Sequence, residues 1–276
     1  MPDKKTIIRR LLFAGYFVAA FLIFLLLLFP FDRFKSRIES EIRLRTPVEL
    51  SIARIAPRFF NTVQLSDVVV SDKNGRVLFE SPAARTTVSL FGLLRGLTAL
   101  SMKASAYNGE LLVKIQQGKG SQYLFIDASG LDINAYPLLR DAGFHLTGKL
   151  GGNFEMIGDS GKGRLLIKGV TSRDLTVKGF KIPDLDFEQC WLEAEVKGDR
   201  LLVKKLEMDG KELKVRATGD VVLRERGMMN LTIKLKLSER MTQEQSWVTA
   251  VLKNKDAEGY YQFILGGTLA EPMPRL

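Results

Sequence analysis

The chain has 276 residues, a net charge of +10, one histidine and one cysteine. A single cysteine excludes an internal disulfide, and a single histidine with no second cysteine excludes the usual His/Cys zinc sites. Residues 1–45 hold nine Lys or Arg against four Asp or Glu, so +5 of the total charge lies there. This basic excess is typical of a segment beside anionic lipid head groups and does not by itself predict nucleic-acid binding.

An apolar segment at residues 11–29 dominates the N-terminal region. Its sequence, LLFAGYFVAAFLIFLLLLF, contains no charged residue, amide or proline. Such a run nearly matches the roughly 20 residues that a helix needs to cross a bilayer core about 30 Å thick. A cleaved signal would be shorter and end in small residues, whereas Pro30 and Phe31 follow here. We therefore predict one uncleaved transmembrane helix. Its anchoring side chains are Leu11, Phe17, Phe21, Leu25 and Phe29.

Basic residues flank the predicted membrane helix on both sides in similar number. Lys4, Lys5, Arg9 and Arg10 precede it, and Arg33, Lys35, Arg37 and Arg43 follow it. Long domains translocate largely regardless of charge, and a short basic head is easily retained. We expect residues 1–10 to form a cytoplasmic head and the chain after the helix to be translocated.

Residues 30–46 are predicted to form a short amphipathic juxtamembrane helix. Phe31, Phe34, Ile38 and Ile42 recur at helical spacing among charged residues. Pro47 ends the pattern, because the residue before a proline disfavours helical backbone angles. The apolar stripe must cover either the membrane interface or part of the sheet that follows.

From residue 47 the apolar period changes to that of a strand. Val48, Leu50 and Ile52 alternate with polar residues, and similar runs follow up to residue 132. Turn sequences at 72–75 and at Asn108 and Gly109 predict hairpins, the second with positive φ. Residues 47–132 are therefore predicted to be a first β half of an antiparallel domain.

A short helical joint is predicted at residues 133–143, between two β halves. Asn134 suits its N-cap and Gly143 its end. Alternating strands resume over residues 144–276, the second β half. A second helix is expected over 242–252, with Thr242 and Gln245 at capping-box spacing.

The clearest strand pattern predicts one dry face and one wet face. Its apolar residues, which alternate with polar ones, are Met229, Leu231, Ile233, Leu235 and Leu237. Two short helices cannot cover so many strands. The domain is therefore expected to be mainly β, a curved or groove-like antiparallel sheet. Its apolar face is either a packed core or an open, lipid-facing surface.

The sequence predicts no catalytic residue, no metal ligand and no cofactor site. His145 lies at the start of a predicted strand and Cys190 within one, which is typical of structural residues. The glycine-rich stretch at 158–163 lies between predicted strands rather than before a helix, unlike a phosphate-binding loop. Asp184, Asp186 and Glu188 alternate with apolar residues, as on a solvated strand face. Cations interleaved with aromatic platforms, which nucleic-acid binding would require, are not evident.

An ordered set of segments resembles a known group of proteins. The segments are FPFDRFKSRIESEIRLRTPVELSI after the apolar run, RFFNTVQLSDVVVSDKNG, VSLFGLLRGLTALSMKASAYNGELLVKI and the closing GGTLAEP. In this order they resemble the N component of bacterial type II secretion systems and, more broadly, the AsmA-like envelope proteins. The resemblance covers nearly the whole chain.

The resemblance implies a non-enzymatic, single-pass protein of the bacterial inner membrane, with most of the chain in the periplasm. Its partners would be the lipid bilayer and other type II secretion components, and its role the assembly or bridging of that machinery. AsmA-like relatives are regarded as lipid carriers with an apolar groove. They imply an alternative function, phospholipid binding or transfer, in which the face of Met229 to Leu237 would contact lipid.

Overall fold

The structure, a computed structural model, describes most of the chain from residue 31 onward. The described residues are Phe13, Tyr16 and Phe17, and the ranges 31–59, 61–89, 91–92, 95–118, 120–141, 145–173, 176–177, 180–181, 183–224, 227–244, 252, 255–268 and 271–275. Of the predicted anchoring residues, Leu11, Phe21, Leu25 and Phe29 lie outside this part. Phe17 is helical and 73% exposed. Among the described residues, no helix is both long and apolar enough to span a membrane.

The fold is mainly β, with three short helices. The helices are α1 (Phe31–Arg45), α2 (Pro137–Asp141) and α3 (Glu239–Glu244), and a 3₁₀ turn, Ile133–Ala135, precedes α2. The strands are β1 (Val48–Phe59), β2 (Thr62–Asp72), β3 (Val77–Val88), β4 (Thr98–Ala106), β5 (Gly109–Gly118), β6 (Ser121–Asp132), β7 (His145–Ile157), β8 (Ser160–Arg173), β9 (Thr176–Val177), β10 (Phe180–Lys181), β11 (Leu185–Lys197), β12 (Arg200–Gly210), β13 (Leu213–Val222), β14 (Met229–Leu237), β15 (Tyr261–Gly267) and β16 (Pro272–Arg275).

One curved, open sheet contains 14 of the described strands in sequence order, from β1 to β8 and from β11 to β16. Every neighbouring pair is antiparallel, and β9 and β10 form a separate hairpin. The two predicted halves share this sheet, because β6 pairs with β7 across the helical joint. The sheet edges are β1 and β16, which do not pair with each other.

The strand meander gives the sheet two distinct ends. We call the end that carries the β2–β3, β4–β5 and β12–β13 turns, together with α2 and α3, the covered end. The opposite end carries the turns that follow β1, β3, β5, β7, β11, β13 and β15, and we call it the open end.

Local irregularities keep apolar residues on one face over long strands. In β2, Val63 and Leu65 face the same side as Val68, although strict alternation would separate them. Asp67 lies between them with φ 49°, a left-handed conformation typical of a bulge that shifts the alternation by one residue. Gly169 (φ 62°) plays the same part in β8, where pairing with β7 shifts.

Several predicted turn and cap residues need correction. The positive φ values of the β4–β5 turn belong to Tyr107 (48°) and Asn108 (59°), and Gly109 already begins β5. The joint is capped by Asp132, whose side chain accepts from the Asn134 N–H, rather than by Asn134 itself. Gly143 lies outside the described residues.

The second predicted helix also begins earlier than expected. α3 starts at Glu239, where the Ser238 hydroxyl accepts from the Met241 N–H at 3.1 Å. Thr242 therefore lies inside the helix and cannot be its N-cap. The predicted partner Gln245 lies outside the described residues, whereas Leu252, at the predicted end, is buried.

α1 covers the β1 edge of the sheet. The Ile52 N–H donates to the Glu39 carboxylate at 2.9 Å, and the Lys35 ammonium donates to the Ala53 carbonyl at 3.5 Å. An uncovered edge strand offers its free backbone groups to other chains. At the other edge, β16 carries Pro272 and Pro274, which have no N–H to donate.

Candidate functional site

An unbroken row of apolar residues and one glycine crosses 13 strands of the sheet, and each member pairs directly with the next. The row, which we call the apolar row, is Ile55, Leu65, Ala84, Ala104, Leu111, Ala128, Gly152, Leu165, Leu192, Leu206, Ala217, Ile233 and Phe263. Directly paired residues of neighbouring strands share a face. The row therefore marks one continuous apolar face.

The predicted residues of β14 all lie on this face. Ile233 belongs to the apolar row, and Met229, Leu231, Leu235 and Leu237 share its face by strand alternation. Leu231 and Leu235 pair with Leu265 and Tyr261 of β15. Met229 is buried, whereas the other four remain partly exposed.

The centre of the apolar face is not fully covered. β5, β6 and β7 contain no buried residue along their whole described lengths. Leu165 of β8, in the apolar row, is 37% exposed. The chain exposes 19148 Å², whereas a compact protein of 31.0 kDa exposes about 12,000 Å². Such an excess is expected when a large part of a sheet lacks a second packing layer.

Two buried clusters flank this open centre. The first is built on β1 to β4 around Ile52 and Ala84. The second brings together Val170 of β8, Phe187 of β11 and Met241 of α3. The sheet therefore packs a core on each side and leaves its middle strands without one.

The covered end of the first half is built around aromatic residues of the joint. α2 contacts both β3 and β7, and so reaches across the strands between them. Tyr136 packs edge-on against Tyr107 at 5.6 Å, and Tyr107 against Phe79 at 6.0 Å. The Tyr107 hydroxyl accepts from the Glu80 N–H at 2.9 Å. Burial is the main cause that raises the pKa of Tyr107, so its hydroxyl stays protonated at neutral pH.

The opposite face of the sheet is polar and carries many ion pairs. Glu155 pairs with Lys162 at 3.6 Å, and Arg164 with Glu193 at 3.2 Å. A shallow depression on this face, of about 560 Å³, is lined by Trp191 and three cations, Lys149, Arg164 and Lys168. Two of these cations are engaged, Lys149 with Asp132 and Arg164 with Glu193. Exposed pairs of this kind keep the face wetted and contribute little stability.

The residues considered for chemistry do not come together as a catalytic or metal site. His145 is exposed in β7. Burial raises the pKa of the Cys190 thiol to about 11, so the thiol is protonated and poorly nucleophilic at neutral pH. Asp186 pairs with Arg173 at 2.5 Å. Within the described part of the chain, no group of three or more potential metal ligands occurs.

Sequence reasoning missed the features that shape the apolar face outside β14. The change from Val63 and Leu65 to Val68 and Val70 breaks the period of two, and this signal predicts a bulge. Tyr107 and Tyr136 are far apart in sequence, and no local pattern indicates their contact.

In comparisons with known proteins, no family model, no curated protein and no solved structure matches the chain significantly.

Proposed function

We propose that this protein is a non-enzymatic, membrane-anchored envelope protein that holds phospholipid acyl chains against the apolar face of its sheet. The observation that carries the proposal is the uncovered centre of that face, where β5, β6 and β7 contain no buried residue. Acyl chains would supply the missing second layer.

The energetics favour an apolar ligand at this position. Removing apolar surface from water stabilises by about 25 cal/mol per Å². An acyl chain that covers about 300 Å² of the face would therefore contribute about 7 kcal/mol before the cost of immobilising the lipid. Exposed apolar patches of this size are typical of interaction sites.

A matched pair of substitutions in β6 tests the lipid proposal. Ile126 lies on the apolar face, where it pairs with Val113 and Phe154, and Phe125 lies on the polar face, within 5.7 Å of the Lys114 ammonium. Ile126→Glu places a charge among the acyl chains, whereas Phe125→Glu places it in solvent beside a cation.

The readout is phospholipid bound to the full-length protein after gentle extraction, measured by native mass spectrometry. We expect wild type and Phe125→Glu to retain phospholipid and Ile126→Glu to lose it. Circular dichroism establishes that both variants are folded. Wild-type protein that never carries phospholipid, or equal retention by both variants, would contradict the proposal.

A second function, as a component of a type II secretion apparatus, is favoured by the ordered sequence segments that resemble its N component. Such a role is compatible with lipid binding, because a secretion machine assembles within the same membrane. It predicts that the protein co-purifies with other secretion components from detergent extracts. Secretion that stays intact in a deletion strain, together with purification free of those components, would rule this function out.

A further inference from the structure

Exposed apolar side chains collect at the open end of the sheet. From residue 31 onward, ten large apolar side chains are exposed in the described part of the chain, and seven of them lie at this end. These seven, which we call the apolar rim, are Phe91, Leu97, Ile115, Ile157, Leu223, Met228 and Met273. They come from six different strands or turns, so their common position is not a feature of one loop.

The rim is held together by hydrogen bonds between successive turns. The Gly158 N–H donates to the Gln122 carbonyl at 2.9 Å, and the Gly198 N–H to the Asp159 carbonyl at 2.8 Å. The Leu223 N–H continues the series by donating to the Asp199 carbonyl at 2.6 Å. This bonding fixes neighbouring turns relative to one another and keeps Ile157 and Leu223 in an ordered surface.

α1 fixes the direction from which the N-terminal segment reaches the sheet. Glu39 contacts Ile52 and Lys35 contacts Ala53, whereas the Thr46 hydroxyl donates to the Val48 carbonyl at 3.3 Å. α1 therefore runs antiparallel to β1, with its first residue toward the open end. Only Pro30 separates α1 from the apolar segment 11–29.

Distances along β1 bring the rim to the level of that segment. Phe31 precedes Lys35 by one helical turn, about 6 Å, which places the start of α1 beside Ile55. β1 continues to Phe59, about 13 Å further toward the open end at about 3.3 Å per residue. The rim thus extends past the point where the predicted membrane helix joins.

Cations accompany the apolar side chains of the rim. The Arg95 guanidinium lies 4.2 Å from the centre of the Phe91 ring, and Arg224, beside Leu223, is largely exposed. Arginines with apolar stems among exposed aromatic and aliphatic residues are typical of surfaces that meet anionic lipid head groups.

We propose that the apolar rim inserts into the surface of the bilayer that holds residues 11–29, so that the apolar face opens directly onto the lipids. The inference rests on the proposed lipid-binding function and gives it a route: acyl chains enter between the strands' open ends. α2 and α3 lie at the other end and leave this route free.

Depth-dependent quenching tests the inference on the full-length chain. In a Cys190→Ala background, single cysteines Ile157→Cys and Met228→Cys carry an environment-sensitive fluorophore at the rim. Ile264→Cys is the matched control, since Ile264 is also an exposed apolar residue, 39% accessible, but lies in mid-strand on the polar face. Asn74→Cys marks the covered end.

Each labelled protein is reconstituted at one copy per nanodisc of phosphatidylethanolamine and phosphatidylglycerol with doxyl-labelled lipid. We expect severalfold stronger quenching and a blue-shifted emission at 157 and 228 than at 264 and 74. Quenching at the rim no greater than at Ile264→Cys would overturn the inference. So would a blue shift at the rim that appears only when several copies share a particle, because the rim would then contact a second copy.

The outcome is separable from that of the lipid-binding test. Strong rim quenching together with absence of phospholipid in native mass spectra would sink the proposed function and leave a peripheral membrane contact. Retained phospholipid without rim quenching would sink the rim inference alone.

Discussion

At the scale of single residues, the sheet depends on a few positions where only hydrogen fits. A Cβ added at Gly109 would lie 2.6 Å from the Ser129 carbonyl oxygen and 2.7 Å from the Gly130 carbonyl carbon. Both are backbone atoms of β6, so neither can move without disturbing the β5–β6 pairing. Gly109 is therefore needed for close strand approach, and the left-handed turn beside it is supplied by Tyr107 and Asn108.

Gly109→Ala should consequently lower the free energy of unfolding by about 2–3 kcal/mol, in the range of overpacking substitutions. Gly151→Ala is the matched control, because its added Cβ would meet only the Ala128 carbonyl oxygen at 3.5 Å, an ordinary contact. Chemical denaturation of both variants measures the difference. Equal stability of the two variants would show that the β5–β6 approach at Gly109 tolerates a methyl group.

A turn carboxylate gives the β2–β3 hairpin a pH dependence. The Arg76 N–H, the foremost cause, the Arg76 side chain and the Asn74 N–H donate to the Asp72 carboxylate and lower its pKa. A lowered folded-state pKa means that the carboxylate stabilises the fold above its unfolded-state pKa, about 3.9, and that this contribution is lost as pH falls through the folded value.

Asp72→Asn should therefore lower the thermal midpoint at pH 7, and the difference from wild type should shrink as the pH falls below about 4. Thermal unfolding followed by circular dichroism across pH 2.5–7 measures this. A wild-type advantage that stayed constant down to the lowest pH would mean that the charge of Asp72 does not contribute.

At the scale of elements, the contact between α1 and β1 couples the N-terminal segment to the sheet. The Glu39 carboxylate accepts from the Ile52 N–H, a donor on the outer side of an edge strand. Ile52 is also among the most buried residues, with 2% of its surface exposed. An unsatisfied N–H at such a site costs about 1–3 kcal/mol.

Glu39→Ala should destabilise the protein by about 1–2 kcal/mol and speed hydrogen exchange of the Ile52 amide. Glu39→Gln keeps an oxygen acceptor and should lose less than half as much. Glu41→Ala, on the exposed side of α1 where Glu41 pairs with Arg45, should be nearly neutral. If all three variants behaved alike, the edge hydrogen bond would not be the source of the stability.

At the scale of the whole molecule, the chain is arranged as a sheet with one apolar face, covered at one end by short helices and open at the other. The proposed function requires this sheet to lie outside the cytoplasm, since the cationic head at residues 1–10 is the part more easily retained. The anchor at 11–29 and this topology are proposals that the described residues do not test.

A reporter fused after Leu276 decides the topology. Alkaline phosphatase, which is active only after translocation, should be active in this fusion, and a cytoplasm-folding fluorescent protein at the same place should stay dark. The reverse pattern would place the sheet in the cytoplasm. A phosphatase fused after Arg10 serves as the control and should be inactive.

The sequence by itself determined which residues of β14 share a face and where most hairpins turn, because strand alternation and turn chemistry are local properties. It also determined that few helices are present to cover the strands. Met229 to Leu237 alternate without interruption, so their face could be derived from spacing alone. Where bulges interrupt the alternation, as at Asp67, the pattern was recorded but not interpreted.

Only the tertiary structure decided between a closed core and an open face. That choice depends on whether strands far apart in sequence meet, and neither edge strand pairs with the other. It equally decided that α1 lies along β1 and that α2 reaches from β3 to β7. Alternation specifies which side of a strand is apolar, whereas only long-range packing specifies what, if anything, covers it.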